Sequence, residues 1–231
     1  MPTLSIIIPV LDEAAGITEA LAALEPFRAR GAEVIVADGG SRDGTLEAAR
    51  PFADVVITAP RGRGSQMNAG AAAAHGDVLL FLHADTRLPA GADRLVVDVL
   101  GGARRAWGRF DVTIAGSSPL LPVVAAMMNW RSRLTGIATG DQAMFMTRDA
   151  FARAGCFPDI PLMEDIVLSR RLKATGPPAC LAARVTTSGR RWDRDGVVRT
   201  IFMMWRLRLA FFLGAEPARL ARQYGYGVRD A

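Results

Sequence analysis

Lysine is almost missing from this 231-residue chain. Lys173 is the only one, so the net charge of +5 and the pI near 10.2 rest on arginine. Such a balance has two readings. One is attraction to phosphate, whether of a nucleotide, a lipid head group or nucleic acid. The other is plain compositional bias in a chain that is also rich in alanine. Cysteine and histidine are scarce too. Cys156 and Cys180 are too few for a disulfide framework, and His75 and His83 too few for a zinc cluster. A reduced, cytosolic setting is the default expectation for such usage. Signal-peptide features are missing from the start, where the first apolar run is short, has no basic lead and ends in acids. Internal repeats, low-complexity linkers and a clear domain boundary are missing as well. A long uncharged run is also lacking. The very apolar stretch from Val197 to Leu213 is interrupted by Arg199, Arg206 and Arg208, whereas a spanning helix needs ~20 largely uncharged residues.

What is present is a half-hydrophobic composition and a length that suits one α/β domain with a full core. Three short apolar runs stop abruptly at acids. Leu4–Val10 is followed by Leu11-Asp12-Glu13, Glu33–Ala37 by Asp38-Gly39-Gly40-Ser41, and Val78–Leu82 by His83-Ala84-Asp85. Runs of this kind read as strands buried on both faces of a parallel sheet. Ligands in such sheets bind beyond the carboxyl ends of the strands, so acids at three strand ends are expected to meet at one rim.

Between the strands the pattern turns helical. Helices are expected from about 14 to 29, from near Asp43, and from Ser65 to His75, with a further strand at Val55–Thr58. Asp12 is a candidate cap for the first helix and Asp43 for the second. This alternation predicts a doubly wound, mainly parallel sheet with helices on both faces. The second half is less regular. Leu95–Leu100, Leu120–Leu134, Arg148–Phe151 and Met163–Leu172 read as helices. Ala143–Met146 reads as a strand, and Arg109–Ile114 as a strand exposed on one face. Residues 1–195 are taken as one unit and 196–231 as an amphipathic helical tail without a core of its own. Stretch 197–213 suits a helix lying at a membrane surface, or one packed on a second copy of the chain.

The acids carry the chemistry. Asp85 is placed to hold a divalent cation, Mg²⁺ or Mn²⁺, that bridges the two phosphates of a nucleotide; a turn cap is the plainer reading. Asp38, before two glycines, can accept from a base or a ribose hydroxyl. Asp12 and Glu13 line the same rim. The loop Arg61-Gly62-Arg63-Gly64 can cradle a diphosphate, or be an ordinary solvated loop. Glu164-Asp165 opens a helix, where acids favour the dipole anyway, and one of them can take a proton from an attacking hydroxyl. Arg190-Arg191-Trp192 joins two cations to a stacking ring.

In order, Pro9-Val10-Leu11-Asp12-Glu13, Asp38-Gly39-Gly40-Ser41-Arg42-Asp43-Gly44-Thr45, Arg63-Gly64 with Asn68-Ala69-Gly70, His83-Ala84-Asp85 and Glu164-Asp165 resemble family 2 glycosyltransferases of the GT-A fold. The Arg61–Gly70 and Phe81–Thr86 forms resemble a small bacterial subgroup of the radical-SAM or selenodomain-associated type. The resemblance implies transfer, with inversion, from a UDP- or GDP-sugar to a hydroxyl or lipid-phosphate acceptor. It implies Asp165 as base beside Glu164, and Asp85 as metal ligand. It implies Pro9, Glu13, Asp38, Arg63, Asn68, His83, Ala84, Asp85 and Arg191 around the nucleotide-sugar. Nucleic acid is not an expected partner, and the expected location is the cytoplasm or the inner face of its membrane. The chain departs from the family pattern where His83 replaces the first acid of Asp-x-Asp, and where Gln-x-x-Arg-Trp survives only as Ser188–Trp192. Two other classes remain open: a sugar-nucleotidyltransferase, and a non-catalytic nucleotide-sugar-binding module at a membrane.

Overall fold

The computed structural model describes residues 3–102 and 105–226. The last five residues of the expected tail lie outside them. One eight-stranded sheet runs through the molecule in the order β3-β2-β1-β4-β7-β6-β8-β5. Its first half is built as the sequence predicts. Strand β1 (Leu4–Val10) pairs in parallel with β2 (Glu33–Asp38) and with β4 (Val78–Phe81), and β2 pairs in parallel with β3 (Val55–Thr58). The connecting helices are α1 (Ala14–Ala22) and α2 (Glu25–Arg28), then α3 (Thr45–Ala49), then α4 (Arg63–Ala73). The single helix expected over 14–29 breaks in two because Pro26 sits at the start of α2, where its missing N–H cannot extend α1.

The second half is mixed. A two-residue strand, β5 (Thr86–Arg87), and α5 (Ala92–Gly101) precede β6 (Trp107–Ala115) and α6 (Leu121–Thr135). Then follow β7 (Phe145–Thr147), α7 (Arg148–Arg153), α8 (Glu164–Leu172), β8 (Ala179–Ser188), α9 (Arg190–Asp195), α10 (Val197–Phe212) and α11 (Pro217–Tyr224). Strand β7 runs antiparallel to both β4 and β6, and β5 antiparallel to β8, while β6 and β8 are parallel. The expectation of a one-face-exposed strand at 109–114 is corrected. β6 lies between β7 and β8 and is buried from Trp107 to Val112. Its polar residues are paired inside: Arg109 holds Asp111, which Arg133 of α6 also grips. Asn129 brackets Val112, accepting from its N–H at 2.8 Å and donating to its carbonyl at 3.0 Å.

Alternation along the strands divides the core between the two faces of the sheet. Ile6, Ile8, Val34, Leu80 and Phe110 pack one way, against α1, α2, α5 and α6. Ile7, Ile35, Leu79 and Phe81 pack the other way, against α4, α7 and α8. Glycine allows the closest approach of α4, since a Cβ at Gly70 would lie 2.4 Å from a methyl of Ile7. A smaller third cluster joins Leu162, Met163 and Ile166 to Leu207 of α10 and Leu220 of α11. It seats the last helices beside the carboxyl ends of the parallel strands.

Candidate active site

A cleft of about 680 Å³ opens at those carboxyl ends. Of the residues implied for the nucleotide-sugar, Pro9, Glu13, Arg63, His83, Ala84, Asp85 and Arg191 line it. The chain places them through short loops. Strand β4 stops at Phe81, and His83–Asp85 form a turn closed by the Thr86 N–H on the His83 carbonyl at 3.0 Å. The Ser188 N–H donates to the Asp85 carbonyl at 3.1 Å, which brings α9 across the mouth. Arg190 then reaches two acids at once, Asp85 at 3.7 Å and Glu13 at 3.8 Å. Burial raises the Glu13 carboxyl above its ordinary value; Arg190 opposes this and Asp85 adds to it.

The other four implied residues have different placements. Asp38 is fully buried and accepts from the Gly40 and Ser41 N–H groups at 2.8 and 3.0 Å and from the Ser41 hydroxyl. Its carboxylate therefore shapes the loop after β2. Asn68 brackets Phe157, donating to its carbonyl at 2.9 Å and accepting from its N–H at 3.0 Å. Glu164 is buried and Asp165 half-buried at the start of α8, and neither is among the residues that line the cleft. Asp165 accepts from the Gly140 N–H at 2.9 Å and the Ile166 N–H at 2.7 Å. Burial, then the Asp165 charge, pushes the Glu164 carboxyl up against the pull of Arg63. Asp12 does not cap α1. It accepts from the Arg42 N–H at 2.9 Å, while Asp43 and Thr45 take the Ala14 and Glu13 N–H groups at 3.0 and 2.9 Å.

The lining also holds residues to which the sequence reading gave no role, among them Gln66, Asp141, Tyr224 and Tyr226. Gln66 ties the ends of β1 and β2 together, donating to the carbonyls of Val10 at 2.7 Å and Ala37 at 2.9 Å. Asp141 lies 3.4 Å from His83 Nδ1. Burial alone would raise its carboxyl, but His83, Arg63 and Arg208 together hold it below the usual range. The Gly140 backbone lies against the same imidazole, where an added Cβ would meet Nε2 at 2.4 Å. Tyr224 and Tyr226 stack on the basic groups of the cleft, with Arg191 3.9 Å from the first ring centroid and Arg63 5.2 Å from the second. The pattern Thr139-x-x-Gln142, which caps the turn carrying Asp141, and the place of Gln66 inside the Arg61–Gly70 form were the signals the sequence offered for these four.

The arrangement suits a diphosphate. Two arginines with aromatic backing face two carboxylates across one opening. Among the described residues no group of three or more His, Cys, Asp or Glu stands close enough to hold a metal ion unaided. The donor set still fits a hard cation of the Mg²⁺ or Mn²⁺ kind, which is commonly bound by one or two carboxylates together with substrate phosphates. Asp85, exposed to the cleft with Glu13 as its acidic neighbour, is the carboxylate available for that.

Sheet order, the mixed second half and a cleft beyond the parallel strands define the GT-A fold. Solved structures share it. A mannosyltransferase from Pyrobaculum calidifontis in complex with GDP-Man and Mn²⁺ is 21% identical, with a TM-score of 0.63 over 90% of this chain and 61% of that one. Staphylococcus aureus TarS 1-349 in complex with UDP-GlcNAc is 17% identical, with a TM-score of 0.63 over 80% and 58%. Glucosyl-3-phosphoglycerate synthase from Mycobacterium tuberculosis, with Mn²⁺, UDP and glucosyl-3-phosphoglycerate, is 19% identical, with a TM-score of 0.64 over 99% and 82%. The chain thus spans less than two thirds of the length of the first two. No curated protein matches it. The family model "Glycosyl transferase family 2" matches residues 5–151, and the chain belongs to that family.

Proposed function

We propose that the chain moves a sugar, with inversion, from a UDP- or GDP-linked donor to a hydroxyl or lipid-phosphate acceptor. The observation that supports this most directly is the meeting of Asp85, Glu13, Arg63 and Arg191 in one cleft at the strand ends. Arg63 and Arg191 would hold the diphosphate by charge-assisted hydrogen bonds. Asp85 would hold the divalent cation, which, when bound, neutralises charge on the departing diphosphate. His83, fixed by Asp141 and Gly140, would read a ribose or phosphate oxygen beside it.

Asp165 would be the base. Its two oxygens each accept one backbone N–H and each keeps a further lone pair. With a hydroxyl acceptor, the acceptor oxygen attacks the anomeric carbon, the bond to the diphosphate oxygen breaks, and the hydroxyl proton passes to the carboxylate. Attack from the face opposite the leaving group inverts the anomeric centre. Glu164, raised by burial, would keep the neighbouring carboxylate in place without adding a second full charge. By extension, residues 1–195 would be the catalytic unit, and 196–231 a tail that closes the cleft through Tyr224 and Tyr226. The Arg61–Gly70 and Phe81–Thr86 forms support the small bacterial subgroup. The expected location is the cytoplasm or its membrane face. No described helix is long and apolar enough to cross a membrane.

A thermal-shift screen of nucleotide sugars with and without Mn²⁺ tests the reading, because a ligand that binds the native state raises its apparent stability by mass action. The expected hit is one UDP- or GDP-sugar whose shift depends on Mn²⁺. No shift with any of them at millimolar concentration refutes it, and release of pyrophosphate from a nucleoside triphosphate and a sugar phosphate would favour a nucleotidyltransferase.

A further inference from the structure

The chain has two tyrosines, and both meet the arginines assigned to the diphosphate. The Arg191 guanidinium lies 3.9 Å over the Tyr224 ring centroid, and one of its N–H groups donates to the Tyr224 carbonyl at 3.1 Å. The Arg63 guanidinium lies 5.2 Å over the Tyr226 ring centroid. The two rings meet edge to face, 4.9 Å apart at 76°. Burial raises both phenols above their ordinary value against the pull of the arginines, so the rings meet the cations as neutral groups. Local sequence brings this about. Helix α11 ends at Tyr224, and Gly225 follows with φ +87°, the left-handed residue of a Schellman turn. The Tyr226 N–H closes that turn on the Ala221 carbonyl at 3.0 Å. Leu220 and Ala221 are buried in the cluster with Leu162, Ile166 and Leu207, which anchors the turn from behind.

A ring holds a cation differently from an acid. A carboxylate in direct contact would neutralise the guanidinium and compete with phosphate for its N–H groups. An aromatic face attracts the charge through its quadrupole and cancels none of it. Arg191 gives one N–H to the Tyr224 carbonyl and has others to offer. Glu164 and Asp141 act on Arg63 by charge alone. The rings also leave room. The cleft of about 680 Å³ has both tyrosines in its lining, and small-molecule sites run from about 300 to 1,000 Å³. The tyrosines are therefore its wall and not its contents.

We propose that Tyr224 and Tyr226 are positioning residues for the donor, which hold Arg191 and Arg63 at the cleft wall with their charge free for a diphosphate. This rests on the transferase reading and extends it to the last described residues: the tail backs the donor site and takes no part in the chemistry.

Calorimetric titration of the full chain with UDP and with GDP, each with Mn²⁺, tests this. Tyr224→Ala and Tyr226→Ala should each weaken binding roughly 5- to 30-fold, the loss of a partly desolvated cation–π contact. Tyr224→Phe and Tyr226→Phe keep the rings and should stay within about twofold of wild type. Tyr226→Leu keeps apolar bulk without the quadrupole and should match the alanine variant; wild-type affinity there overturns the inference in favour of plain packing. In an Arg63→Gln background Tyr226→Ala should have no further effect. A full effect in that background means that the ring acts on the nucleotide itself and overturns the inference. Tighter binding by the alanine variants makes the tail a plug and overturns it too. Circular dichroism checks folding, and the phenylalanine and leucine variants fill the same space, so the comparison survives if alanine loosens α11. Wild type that binds neither nucleotide refutes the transferase reading and this inference with it. Wild type that binds and is matched by both alanine variants refutes this inference alone.

Discussion

Replacing Gln66 with glutamate changes one atom type and removes the only donor that the side chain offers to the ends of β1 and β2. In the wild type that amide nitrogen serves the Val10 carbonyl at 2.7 Å and the Ala37 carbonyl at 2.9 Å, while its oxygen accepts from the Gly62 N–H at 3.3 Å. The side chain is buried, and a Cβ on Gly39 would already touch it at 3.0 Å, so it has little room to turn away. Gln66→Glu puts a carboxylate against two carbonyl oxygens. The cheapest response is to protonate it. At pH 7, neutralising a carboxyl of ordinary pKa costs about 3.7 kcal/mol. One carbonyl still loses its donor, about 1 kcal/mol more. The total, close to ~5 kcal/mol, should lower the melting temperature by roughly 10–20 °C for a chain of this size.

The pH dependence gives a second check on the same variant. The folded pKa of the introduced carboxyl would lie above the unfolded value, so the fold prefers the protonated form. Stability is kept below the ordinary carboxyl range and lost as pH rises through the raised value. Urea unfolding of both proteins at about pH 4.5 and about pH 7.5 measures this. The gap should be about 1–2 kcal/mol at the lower pH and widen to several at the higher. A variant within about 1 kcal/mol of wild type at the higher pH, or a gap that does not move with pH, would refute the role given to Gln66.

Asp85→Asn should remove the Mn²⁺ dependence of nucleotide-sugar binding and lower turnover on the order of a hundredfold, as several kcal/mol of charge stabilisation is lost; titration calorimetry with and without Mn²⁺ checks it, and unchanged dependence excludes Asp85 as the ligand. Asp165→Asn should leave donor affinity within about twofold and lower transfer by roughly 10²- to 10⁴-fold, the usual range for a general base. Equal loss of binding and transfer would contradict that role. Asp111→Asn leaves Arg109 buried without its anion and should cost about 3–5 kcal/mol by urea unfolding. Burial alone would raise the Asp111 carboxyl, but Arg133 and Arg109 hold it below its ordinary value. The contribution is therefore present above the unfolded pKa, and the gap between wild type and variant should close as pH falls through the folded one.

The parts of the fold that were legible are those whose environment is uniform along the chain. β1, β2 and β4 are buried on both faces, so each reads as an unbroken apolar run, and the acids after them mark where the sheet ends. β8 was not legible. Its sequence ACLAARVTTS has only Leu181 and Val185 as larger apolar residues, and its exposure follows no strict alternation, with Ala182 and Arg184 exposed. What makes it a strand is eight residues of pairing with β6, across a bulge at Phe110/Asp111. The same pairing buries β6, so missing one strand led directly to misplacing the exposure of the other. Local pattern cannot supply a face that a distant strand covers.

The candidate site divides along the same line. Arg63, His83 and Asp85 stand next to strands or a helix start that the pattern reveals, and the fold carries them to one cleft. Asp38 and Asn68 have the right neighbours in sequence, but their polar atoms are turned to Ser41 and Phe157. A motif position fixes where a backbone goes, and says less about which way its side chain faces. Asp141 and Tyr226 show the converse. Nothing adjacent to Tyr226 in the chain marks it, and the Thr139-x-x-Gln142 cap marks a turn at Asp141 without giving its side chain a role, since His83 and Arg63 lie far away in sequence. Tyr226 packs on the α8, α10 and α11 cluster around Ile166, Leu207 and Leu220, and the turn carrying Asp141 is tied to the start of α8 by the Gly140 N–H on Asp165. The Tyr226 side of the cleft is therefore built by tertiary packing of apolar residues, whereas the side carrying Asp85 is built by strand ends, which is why the sequence announces a nucleotide-sugar far more clearly than it announces what receives the sugar.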